Sequence, residues 1–147
     1  MLLGIDARMP PRLLYCLARM GHGDEIVVAD SNYPSETTAQ HCVEKSVIYL
    51  PGMNTSEAID IITSVMPLDY FSDYAVLRME VDGKPEEKTD AHSTAWDVLA
   101  KVKPSEAYLT SMERQSFYEQ AKNAFVVVQT TEVRPFGCFI LRKGVVF

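Results

Sequence analysis

At 147 residues, with 47% apolar and 23% charged side chains, the chain has the length and composition of one compact domain, residues 1–147. Its formal net charge is -6 and its 14 Lys and Arg form no run, which excludes the clustered cations of a nucleic-acid footprint. No stretch approaches the roughly 18 consecutive apolar residues of a membrane span, so small molecules and other proteins are the expected partners.

Asp6, Arg8, Pro10, Pro11 and Arg12 interrupt the N-terminal stretch, so no signal peptide is expected. Pro10 and Pro11 precede RLLYCLARM, whose Leu13, Leu14, Leu17 and Met20 have helical spacing, and Gly21 stands just past the end. A Gly-His-Gly turn around His22 leads into Glu25–Ala29, a short buried strand that ends at Asp30. Ser31 to Cys42 is polar and reads as a loop, and Ser46 to Leu50 as a strand closed by Pro51 and Gly52. Asn54-Thr-Ser-Glu57 has the form of a capping box, and Ala58, Ile61, Ile62 and Val65 continue a helix that Pro67 ends. Asp73 to Val81 alternates as a strand does, and Asp82 to Asp90 is a charged excursion. A helix over His92 to Val102 and a short strand over Ala107 to Thr110 follow. Phe117, Ala121 and Phe125 place a helix on Glu113 to Phe125. The strands Phe125 to Thr130 and Cys138 to Leu141 close the chain around a turn region, Thr131 to Gly137. Strands alternating with helices predict an α/β layered fold with a largely parallel sheet.

Cys16, Cys42 and Cys138 are odd in number and widely spaced, so they read as reduced thiols of a cytoplasmic protein. No metal-binding spacing, phosphate-binding loop or serine elbow occurs, and no metal or cofactor is predicted. His22 is the best-framed candidate for acid–base chemistry, because an unperturbed imidazole exchanges protons near neutrality. Asp30, beyond the strand, can bind a hydroxyl or orient that imidazole. The plainer alternative is a surface histidine in a glycine turn and an aspartate capping a loop. His41 and His92 stand alone in polar contexts and read as exposed. Arg114 lies near a helix start, where a cation opposes the macrodipole, and Tyr118 can project outward from that helix. In Arg134-Pro-Phe-Gly-Cys138, the proline and Gly137 permit a kink whose amides face a ligand, with Phe136 free to stack on a sugar ring. The same stretch reads equally as a tight connection between two edge strands.

The segment MGHGDEIVVADSNYP resembles the signature of the RbsD/FucU family of sugar mutarotases, whose members carry MGHGDEI followed by an Asp. ERQSFYEQAKNAFVVVQTTEVRPFGCFILRKGV resembles the C-terminal half of that family, with an Arg before Phe-Tyr-Glu and a Tyr-Gly-Asn turn before the last strand. The likeness is close at both ends of the chain and extends only to element order from Glu36 to Tyr108. It implies a three-layer α/β/α domain that interconverts the anomers of L-fucose without cofactor or metal. It further implies His22 as catalytic acid and base, with Asp30, Arg114, Tyr118 and the Phe136-Gly137-Cys138 turn binding substrate. Ring-like homo-oligomers with sites at subunit interfaces are also implied. The chain departs from the family at that turn, where Phe136 and Cys138 replace Tyr and Asn and remove two side-chain hydrogen-bonding groups. A non-catalytic sugar-binding or regulatory module, or a mutarotase for ribose or another pyranose, is the alternative expectation.

Overall fold

A computed structural model describes residues 1–147. Six strands form one sheet in the order β2-β5-β1-β6-β3-β4. They are β1 Glu25–Ala29, β2 Ile48–Leu50, β3 Val76–Met79, β4 Leu109–Met112, β5 Val126–Thr130 and β6 Phe139–Arg142. β1 and β2 each run parallel to β5, and β3 runs parallel to β4. β6 alone is reversed, antiparallel to both β1 and β3. The sheet is therefore mostly parallel, as the alternating elements predict.

Both faces of the sheet are covered, which is why its central strands carry continuous apolar runs instead of alternating. On one face, Ile26, Val28, Val126, Val128, Phe139 and Leu141 pack against α1 (Pro11–Arg19), α3 (Thr55–Thr63) and α4 (Asp90–Val102). On the other, Val27, Ala29, Val127 and Ile140 meet Ala39 of α2 (Ser35–Ala39) and Phe117 and Ala121 of α5 (Arg114–Ala121). Three layers result. The Asn54–Glu57 capping box forms as its spacing predicts, each side chain bonding the other's amide. No helix is long and apolar enough to cross a membrane.

Several expectations change. Ser31 to Cys42 is not all loop, because α2 occupies Ser35–Ala39 with Pro34 at its N-cap. β3 is shorter than the Asp73–Val81 alternation suggests, and α5 stops at Ala121, leaving Phe125 beyond its end. The strands flanking the Phe136 turn are not edge strands, since β5 and β6 are interior and separated by β1. His92 is not exposed but fully buried, at the first turn of α4.

Candidate functional site

The predicted site residues fall at two opposite edges of the sheet. His22 precedes β1 and Asp30 follows it. The five residues of β1, rising about 3.3 Å each, hold these ends about 17 Å apart. One chain therefore cannot bring His22 and Asp30 to the same sugar atom.

At the amino edge, His22 side-chain exposure is 46%, and its Nε2 lies 3.0 Å from Oδ1 of Asp69, a carboxylate only 2% exposed. Asp69 also accepts from the Ser72 hydroxyl and, at 3.2 Å, from the Phe71 amide. Burial pushes the Asp69 carboxyl up. The bonds from Ser72, His22 and Phe71 outweigh it and leave Asp69 below the usual carboxylate range. An ionised Asp69 keeps the shared proton on Nε2, so Nδ1 presents a free lone pair. Phe71 stands edge-on to the imidazole at 5.7 Å. The carbonyls at the end of α1 are met by Lys143, whose ammonium bonds Leu17 O at 2.8 Å and Met20 O at 2.5 Å. Gly144 lies so close to the Leu68–Asp69 backbone that a Cβ would stand 2.6 Å from Leu68 O. Around His22 opens a polar cleft of about 440 Å³, lined also by Glu25, Ser72, Gln120 and Arg142.

At the carboxyl edge, Asp30, Arg114, Tyr118, Phe136 and Cys138 line one small cleft of about 170 Å³, together with Asn32 and Tyr33. The reversal of β6 delivers its entrance, the Phe136 turn, to the end of β1. The end of β4 delivers Arg114, at the first position of α5. Burial raises the Asp30 carboxyl, opposed by the amides of Asn32, Tyr33 and Gly137 and by the Cys138 thiol; the Asn32 amide donates to it at 3.0 Å. Arg114 bonds Asp82 through Nε at 2.9 and 3.1 Å and lies over the Tyr118 ring at 5.8 Å. The charged excursion that bears Asp82 is held from inside by buried Arg78, which donates to Pro85 O at 2.8 Å.

In the Phe136-Gly137-Cys138 turn only Phe136 is partly exposed. Cys138 is 1% exposed, and its Sγ faces the Asp30 amide at 3.4 Å. Gly137 is buried, and a Cβ there would stand 2.8 Å from Glu132 Cγ and 3.2 Å from Arg134 O. Phe136 is the one non-glycine residue with positive φ, +57°, a conformation costing about 1–2 kcal/mol.

Asp30 therefore does not orient His22; Asp69 does. Sequence reasoning missed Asp69 because Pro-Leu-Asp-Tyr-Phe-Ser-Asp has no catalytic spacing and its partner lies 47 residues away. It also missed His92, although Thr89 stands at capping-box distance before it.

Residues 3–146 match the model of the RbsD / FucU transport protein family. The fucose mutarotase of Homo sapiens is 38% identical over 146 residues, spanning 98% of this chain and 94% of that protein. A crystal structure of the fucose mutarotase from Streptococcus pneumoniae in complex with L-fucose has a TM-score of 0.88 at 35% identity, spanning 99% of this chain and 100% of that one. RbsD of Bacillus subtilis, complexed with D-ribose, has a TM-score of 0.71 at 22% identity over 95% of each chain, a likeness of fold alone.

Proposed function

Since the chain belongs to the RbsD/FucU family, we infer that it is an isomerase interconverting the α and β anomers of L-fucose, with His22 as proton donor and acceptor. The observation that carries this reading is the His22–Asp69 pair, an exposed imidazole with one nitrogen held by a buried carboxylate and the other free. Opening a cyclic hemiacetal takes a proton from the anomeric hydroxyl and gives one to the ring oxygen as the ring C–O bond breaks and the carbonyl forms. Rotation about the adjacent C–C bond and closure on the other face reverse both transfers. Nδ1 of His22 carries one of these protons and water in the open cleft the other, so nothing is consumed. A positioned acid–base group contributes about 10²–10⁴-fold, enough for a reaction that already proceeds in water.

Asp30 and Arg114 bind sugar hydroxyls, while Phe136 and Tyr118 cover the apolar face of the ring. Their cleft completes a site when the His22 edge of a second copy closes on it, within a ring-like homo-oligomer. The separation of the two edges along β1 and the small volume of the Asp30 cleft support that arrangement. The identities to fucose mutarotases, against the lower identity to a ribose-bound relative, support L-fucose as the sugar. The free, buried thiols of Cys16, Cys42 and Cys138 support a reducing, cytoplasmic location.

The rival is sugar binding without turnover, favoured by the turn, where Phe136 and the buried Cys138 offer neither the Tyr hydroxyl nor the Asn amide of the family's turn. Saturation-transfer NMR of the anomeric protons of L-fucose separates the two. Wild type accelerates exchange above the buffer rate, and His22→Ala lowers the acceleration by about 10²-fold or more. A wild type that binds L-fucose yet leaves exchange at the buffer rate establishes the rival; D-ribose and D-galactose run alongside test the choice of sugar.

A further inference from the structure

His92 is the third residue of α4 and 0% exposed, and both of its ring nitrogens are engaged. Nδ1 accepts from the Thr89 amide at 3.1 Å, while the His92 amide donates to the Thr89 hydroxyl at 3.3 Å. An Nδ1 that accepts carries no proton, so Nε2 carries it and donates to the Phe136 carbonyl at 2.8 Å. We propose that His92 is a positioning residue for the sugar site: its Nε2–H holds the Phe136 carbonyl and thereby fixes the turn that carries the Phe136 ring into the Asp30 cleft.

Phe136 is where such a hold is needed. Its positive φ is disfavoured for a residue with a Cβ, so the turn relaxes unless its neighbours restrain it. Beside it, Gly137 packs closely enough against Glu132 and Arg134 that an added Cβ would stand 2.8 and 3.2 Å from them. His92 is itself bonded into the α4 cap and stands edge-on to Phe139 at 6.0 Å. Burial, aided by Arg78 and Lys88, holds the ring below the usual histidine value and so in the neutral form this tautomer requires. The imidazole lies outside the cleft lining, so it acts on substrate only through the turn.

This inference rests on the Asp30 cleft being the sugar site. Two substitutions divide the ring's two bonds: His92→Asn keeps an oxygen near Nδ1 to accept from Thr89, and His92→Gln keeps an N–H near Nε2 to donate to Phe136. Both lose ring packing and lower Tm together. With anomer exchange as the assay, His92→Asn raises KM for L-fucose about fivefold, the size of one net hydrogen bond. Its kcat stays within about twofold, and His92→Gln restores KM. Equal KM in the two variants, whether raised or unchanged, overturns the proposal. Should a variant fail to fold, the wild-type imidazole ¹⁵N spectrum decides: saturating L-fucose shifts the His92 Nε2–H resonance, and an unmoved resonance overturns the proposal. A wild type without exchange activity refutes the functional reading instead.

Discussion

Asp69 holds His22, Ser72 and the Phe71 amide at once, so exchanging its carboxylate for an amide alters chemistry more than packing. An asparagine there can offer its NH₂ to Nε2, which draws the ring proton to Nδ1 and removes the free base. Asp69→Asn is expected to lower kcat for anomer exchange by about 10–100-fold with little change in KM. A kcat within twofold of wild type would leave the pair without a role. The first half of this pair was legible in the sequence and the second was not. Gly-His-Gly before a buried strand announces an exposed imidazole, whereas an aspartate earns meaning only from the partner the fold brings to it. His92 misled for the opposite reason. Its neighbours Asp90, Ser93 and Thr94 are exposed, but one turn of helix points the histidine inward.

The connection between β5 and β6 shows the same dependence on context for a whole element. Buried Glu132 accepts from the Arg134 amide at 3.0 Å, from its guanidinium at 2.8 and 2.7 Å, and from the Thr55 hydroxyl at 3.2 Å. It thus pins the connection to the start of α3, where a carboxylate also suits the macrodipole. The Arg134 bonds, against the opposing pull of burial, lower the Glu132 carboxyl from 4.5 to about 2. A depressed carboxyl binds fewer protons in the folded state than in the unfolded. Its stabilisation is therefore complete above 4.5 and disappears as pH falls through about 2. It amounts to about 3 kcal/mol at most. Urea midpoints measured across that window should fall more steeply for wild type than for Glu132→Gln; identical slopes would refute the assignment. The sequence marks this stretch as a turn but cannot say what it joins. Short apolar runs mark β5 and β6 as strands without giving their direction, so neither their separation by β1 nor the reversal of β6 could be read. The parallel majority and the α3 cap could, and the three-layer arrangement was implied by the family resemblance.

For the whole molecule, the two half-sites make a mixing experiment decisive. If the proposed site spans two copies, His22→Ala lacks the amino-edge half and Asp30→Asn the carboxyl-edge half, so each variant alone is impaired. Co-refolded in equal amounts, they should regain about a quarter of wild-type exchange activity, because a random interface pairs two intact halves with that frequency. Mixtures no more active than their parents would place the site within one chain. Both halves are mounted on the ends of β6. Gly137 seats the Phe136 turn at its beginning, and Gly144 packs against the Asp69 backbone just past its end. Each glycine fits a space that an added Cβ would overfill. A one-residue insertion or deletion between them is expected to shift the Phe136 turn relative to the Asp69 backbone, and so both parts of the proposed site together. On the proposed reading, exchanging the side chain at position 136 alters the contact with the sugar, whereas a change in the length of β6 disturbs both ends of the strand at once.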